Sequence, residues 1–134
     1  MKHLTAEEVL IVHSEIIDQT GGSHGVRDVG LLISIIEKPK TKFGGKELYK
    51  GIFNKASATL EAFVQHHVFI DGNKRTAAVA TSRFLFINDY ELTATNRELE
   101  KFMMKVAVEK ESLKGISDWL RKHSRKTSPP KQTA

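Results

Sequence analysis

The run from Lys74 to Asn88 carries Ala77, Ala78 and Ala80 ahead of Phe84, Leu85 and Ile87, and no other stretch constrains the fold as tightly. Small side chains at helical spacing let a neighbouring helix approach closely, and the bulky ones that follow need a core to fill. The spacing predicts a central, largely buried helix, which other helices must cover. The rest of the chain supplies them. Thr5-Ala6-Glu7-Glu8 is a capping box, followed by Val9, Val12, Ile16 and Ile17 at helical spacing and stopped by Gly21-Gly22. Asp28 can cap a second helix through Leu31, Leu32, Ile35 and Ile36, which Pro39 ends. A third runs from about Ile52 to His66 and buries Phe53, Ala56, Leu60, Phe63 and Val64. Thr95-Asn96-Arg97-Glu98 opens a fifth helix, and a sixth carries Leu113, Ile116, Trp119 and Leu120, with Trp119 read as core.

No strand pattern is long enough for a sheet, so the expected class is all-α. The chain should form a compact bundle of about six helices with a short flap or hairpin near residues 41–47, where Gly44-Gly45 sits among lysines. At 134 residues there is room for one domain. The net charge of +5 resides at the C-terminal end, because Arg121, Lys122, Arg125, Lys126 and Lys131 follow the last acid, Asp118. Without those five, acids and bases balance at 16 each. The reading is a folded domain over 1–123 and a basic, disordered tail over 124–134. The absence of cysteine excludes a disulfide scaffold, a zinc-thiolate site and a cysteine nucleophile, and it fits a cytoplasmic location. No apolar run approaches the ~18 residues of a membrane span, and Met1 to Glu8 lacks the order of a signal peptide.

The chemistry is concentrated in His67-Val68-Phe69-Ile70-Asp71-Gly72-Asn73-Lys74-Arg75-Thr76, between two apolar helices and opening the second. Backbone amides at a helix start are unpaired donors at the positive end of the macrodipole, which suits an anion. Gly72 permits close backbone approach, and Lys74 and Arg75 add positive charge where a polyphosphate would lie. Asp71 beside that anion site suits Mg²⁺, which takes one or two carboxylates plus phosphate oxygens. His67 can accept the proton of an incoming hydroxyl near neutral pH. Together these groups spell phosphoryl or nucleotidyl transfer. Phe69 is a core anchor for the loop. The remaining histidines, His3, His13, His24, His66 and His123, show no ligand spacing.

This string resembles the motif of the Fic/Doc family in its Doc form, His-x-Phe-x-Asp-[Gly/Ala]-Asn-Lys-Arg. The resemblance continues through Gly25-Val26-Arg27-Asp28-Val29-Gly30-Leu31-Leu32, Leu48-Tyr49, Phe53, Lys55-Ala56 and Phe84-Leu85-x-x-Asn88, from about Leu4 to Leu120. It implies a Fic-like bundle with His67 as base, Asp71 as Mg²⁺ ligand, and Gly72, Asn73, Lys74 and Arg75 around the phosphates of ATP. It also implies a flap, Lys42 to Leu48, that aligns a target peptide beside the site. The standard Fic motif has Gly at the position of Lys74 and a second Arg at Ala78, and those enzymes transfer AMP to protein hydroxyls. The Doc branch, with Lys, phosphorylates a threonine of elongation factor Tu and halts translation. A Lys side chain fills space that Gly leaves open, so Lys74 argues for the kinase orientation of ATP. The implied protein is thus a toxin of a toxin–antitoxin pair, controlled in trans by a small antitoxin and touching DNA only through it, with no membrane role. Ser57 to Glu61 reads as core rather than as a self-inhibitory helix. The alternatives are a Fic-type adenylyltransferase and a non-catalytic, antitoxin-bound co-regulator.

Overall fold

In the computed structural model, which describes residues 1–127, the helices start and stop where local chemistry directs. Helix α1 (Ala6–Thr20) opens on the complete Thr5/Glu8 capping box and ends at Gly21, whose φ of 82° a side chain would resist. Helix α2 (Val29–Glu37) begins where the Asp28 carboxylate accepts the Leu31 amide, and it passes into a 3₁₀ turn at Lys38–Lys40 around Pro39. Helices α3 (Gly51–Gln65) and α4 (Asn73–Ile87) follow, then α5 (Asn96–Glu109) on the Thr95/Glu98 box and α6 (Leu113–Lys122) capped by Ser112. The described residues are mostly helical, and no helix among them is long and apolar enough to cross a membrane.

The core forms where α3 meets α4 and α6. Ala56, Ala58 and Ala62 of α3 and Ala77 and Ala80 of α4 are buried, as close packing of two helices requires, and Leu60, Phe63, Phe84 and Leu85 fill the space around them. Ser57 and Leu60 lie inside this packing, with the Ser57 hydroxyl donating to carbonyls of Asn54 and Leu113. Their role is structural, as the apolar period implied. Trp119 is only half-buried. It stacks between Phe102 and His123, each with ring centroids 4.0 Å away, so it closes the edge of the core rather than filling its centre.

The predicted hairpin exists. Strands β1 (Lys42–Phe43) and β2 (Lys46–Glu47) pair across Gly44-Gly45, whose φ values of 58° and 80° match the turn that follows strand twist. Its base is tied to α3 by a buried lysine. Lys55 is 3% exposed, and its ammonium donates to the Glu47 carboxylate at 3.0 Å and to the Tyr49 carbonyl. That hydrogen bond and its charge hold the Glu47 carboxyl below its ordinary pKa.

The C-terminal boundary differs from the sequence reading. Ser124–Lys126 are not tail but a strand, β4, pairing antiparallel with β3 (Tyr90–Leu92) in the register Tyr90↔Lys126, Glu91↔Arg125 and Leu92↔Ser124. Two flanking bonds, Thr93 N–H to the His123 carbonyl and Thr127 N–H to the Asp89 carbonyl, extend the ladder, and Arg125 binds Glu91 across it. Three-residue strands of polar residues carry too little alternation to announce themselves. Residues 128–134 of the expected tail lie outside the described residues. Deleting everything after His123 should therefore lower the melting temperature by about 4 °C or more, since β3 loses its whole partner. An unchanged thermal melt would show that the ribbon contributes nothing.

Candidate functional site

The loop from His66 to Gly72 is gripped from three sides before any side chain faces solvent. From the first side, the segment Gly25–Asp28 pairs with it along the backbone. Arg27 and Asp28 donate N–H to the Val68 carbonyl at 2.7 and 3.3 Å, Ile70 donates to the Gly25 carbonyl at 3.2 Å, and Val26 and Phe69 form an isolated bridge. Gly25 is required there. Its φ is 134°, and a Cβ would stand 2.8 Å from the Ile70 side chain.

From below, Val68 and Phe69 plunge into the core. The Phe69 ring lies parallel to His13 of α1, centroids 3.8 Å apart, and faces Phe63 at 6.5 Å on a near-parallel plane. From within, the Asn73 side chain accepts the Phe69 N–H at 3.0 Å and donates back to the Phe69 carbonyl at 2.9 Å. The Asn73 amide is thus spent on closing the loop. What Asn73 can offer an anion is its main-chain N–H, not the side chain that a phosphate cradle would suggest.

This frame puts Val68 and Phe69 inward and leaves His67, Ile70 and Asp71 exposed. His67, Asp71, Gly72, Asn73, Lys74 and Arg75 all line one cavity of about 570 Å³. The sequence reading grouped these six, and the fold brings all six together. The floor comes from elements that the motif does not contain: Ile17, Thr20, Gly21 and Gly22 at the end of α1, and Val64 and Gln65 at the end of α3. No flap residue is among those that line it.

The electrostatics favour an anion. Gly72 precedes α4 as its N-cap with a left-handed φ of 78°, and no side chain caps the helix start. The N–H groups of Asn73, Lys74 and Arg75 have no partner among the described residues. Neither Lys74 nor Arg75 belongs to an ion pair among the described residues. Two cations at the positive end of a helix repel its dipole, a cost that a bound anion removes. Lys74 and Arg75 also border a second cavity of about 530 Å³, lined by apolar residues of α1, α4 and α5 that include Ile16, Leu99 and Met103.

One carboxylate reaches the first cavity. The Ser23 N–H donates to Asp71 Oδ2 at 2.9 Å, which orients the group and leaves Oδ1 free of protein donors. Among the described residues no three His, Cys, Asp or Glu side chains cluster to hold a metal. A single oriented carboxylate next to an anion site fits Mg²⁺, which is held by few protein ligands and completed by phosphate oxygens and water. It does not fit a metal that needs a protein cage.

Sequence reasoning missed His13. It is 4% exposed, and its Nε2–H donates to the Asp71 carbonyl at 2.8 Å. The available signal was its phase: with Val9, Ile16 and Ile17 it falls on the buried stripe of α1. Phe69→Ala should cost about 3–5 kcal/mol by chemical denaturation, since its ring is 1% exposed and stacks between His13 and Phe63. A loss below about 1 kcal/mol would remove the ring as the loop's anchor.

A model described as the Fic/DOC family matches residues 3–85, a span that takes in α1, the gripping segment and the whole loop. Toxin Doc of Mycolicibacterium smegmatis is 38% identical over 93 residues, 69% of each chain. Protein kinase doc of Escherichia phage P1 is 29% identical over 122 residues, covering 91% of this chain and 95% of that one.

Proposed function

The chain belongs to the Fic/DOC family, and from that membership we propose that it is the toxin of a toxin–antitoxin pair, moving the γ-phosphate of ATP to a hydroxyl of a protein target. The observation that carries this reading is the shared cavity. A solvent-facing imidazole, one oriented carboxylate, an uncapped helix start and two unpaired cations meet there within nine positions of the chain. The names of the two relatives support the toxin and kinase parts.

The division of labour follows from the geometry. His67, exposed at the mouth, accepts the proton of the target hydroxyl as its oxygen attacks the γ-phosphorus, and the bond from that phosphorus to the bridging oxygen breaks to leave ADP. The free amides of Asn73, Lys74 and Arg75, with the Lys74 and Arg75 side chains, bind the phosphate oxygens and offset their charge. Asp71 would hold Mg²⁺, which when bound neutralises phosphate charge as the leaving group departs. Lys74 supports phosphate over AMP transfer, because its side chain occupies the position where adenylyl-transferring relatives leave a glycine open. The target, by resemblance, is a threonine of elongation factor Tu, with arrest of translation as the outcome in the cytoplasm. A small antitoxin acting in trans is the expected partner, and DNA is reached only through it.

His67→Ala should abolish transfer from labelled ATP to elongation factor Tu and abolish toxicity, with the melting temperature within about 1 °C of wild type, since an exposed base adds little to stability. Undiminished transfer by that variant would overturn the catalytic reading. Lys74→Gly should lose phosphate transfer, and Lys74→Gly combined with Ala78→Arg should gain AMP transfer, read as the mass added to the target. Wild-type protein that already adds the mass of AMP would replace the kinase reading with the adenylyltransferase one.

A further inference from the structure

The peptide unit between Asp71 and Gly72 is held from outside the loop, by a side chain of α1. Phe69 is held by Asn73, Val68 and Ile70 by the segment Gly25–Asp28, and the Asp71 carboxylate by the Ser23 N–H. The Asp71–Gly72 peptide has a single restraint, the 2.8 Å bond from His13 Nε2–H to the Asp71 carbonyl. Glycine at position 72 tolerates either sign of φ, so the residue after that peptide does not itself oppose a flip. Its position matters, since it joins the oriented carboxylate to the first residue of the uncapped helix start. In a trans peptide the carbonyl and the following N–H point in opposite directions. Pinning the carbonyl toward α1 therefore turns the Gly72 N–H away from α1 and sets the direction in which α4 begins.

His13 is built for this task. It is nearly fully buried, its ring is clamped flat against Phe69, and a carbonyl partner can only accept, so Nε2 carries the hydrogen. Ile17, one turn further along α1, packs against Gly72 from the same side: a Cβ on residue 72 would come within 3.1 Å of its Cδ1. Helix α1 thus presents a donor to the carbonyl and an apolar wall to the glycine.

We propose that His13 is a positioning residue: by holding the Asp71–Gly72 peptide in one orientation it keeps the carboxylate and the amides at the start of α4 aligned on the same phosphate. The proposal rests on the nucleotide-binding reading above, and the experiment separates the two. His13→Leu keeps bulk against Phe69 but removes the donor; His13→Asn is a second variant without the reach, should the first fail to fold. His13→Gln restores an N–H donor at about the distance of Nε2. ADP with Mg²⁺ is the probe, measured by calorimetry, and the Gly72 amide resonance is followed in ¹⁵N-labelled full-length protein without nucleotide.

The expected result is a loss of ADP affinity of about tenfold or more in the Leu or Asn variant, the usual scale for removing a group that orients a ligand. The Gly72 amide should be displaced or broadened in the same variant, and the Gln variant should recover most of both. A merely structural role would lower the melting temperature of all three variants without that recovery. ADP affinity within twofold of wild type in a folded Leu or Asn variant overturns the proposal, as does a Gln variant no better than the other two. If wild-type protein binds no ADP, the nucleotide reading fails on its own. The peptide lock is then decided by Gly72, whose unmoved resonance in the Leu or Asn variant overturns it and whose displacement with Gln recovery upholds it.

Discussion

The parallel stack of His13, Phe69 and Phe63 is the contact on which the candidate site depends. A loop joining two helices has no ladder of its own, and each of its backbone groups must find a partner. Burying Phe69 fixes one point of the loop within the core. Once that point is fixed, Asn73 can close the turn, Gly25–Asp28 can pair alongside, and His67 and Asp71 fall on the outer side. The motif's aromatic residue thus offers no polar group of its own, yet the placement of His67 and Asp71 follows from it. Binding groups held by rigid packing need no reordering when charge develops, which is the condition for strong electrostatic stabilisation.

Much of the helical frame was legible because its signals are local. The Thr5 and Thr95 capping boxes, the Asp28 cap, Gly21 and Pro39 each act within four residues, so sequence alone locates both ends of α1 and α2 and the start of α5. The α3–α4 pair was legible for another reason: alanines in helical phase have few uses besides close approach. The ribbon of β3 and β4 was not, because its logic joins Glu91 to Arg125 across two helices and its residues are polar. Lys55 was hidden in the same way. Nothing in its neighbours along the chain reveals that a hairpin eight residues earlier delivers Glu47 to it.

At the site, the residues that meet the cavity were legible and those that hold them were not. His67, Asp71, Lys74 and Arg75 stand in one short string, so their proximity is a property of the primary structure. Asn73 shows the limit of that reading: its place in the motif is plain, but only the fold reveals that its amide is spent on Phe69. His13 lies 58 residues from Asp71, and Ser23 lies 48 away. Supporting groups at such separations leave no spacing to read, although a histidine on an apolar stripe is a hint that its ring has a buried partner.

The corner after α4 bears on how the chain assembles. The Lys2 N–H donates to the Asn88 side chain and the Asn88 amide returns a bond to the Lys2 carbonyl, 86 residues apart, while Thr127 reaches the Asp89 carbonyl from the other direction. Both outer segments of the chain therefore fasten onto two adjacent residues. Closing loops of that length sacrifices chain entropy that a few exposed hydrogen bonds cannot restore by themselves. Contacts of this range form once the intervening helices stand in place. The far end of α4 is thus on the late side of folding, so substitutions at Asn88 are expected to quicken unfolding and leave the folding rate almost untouched.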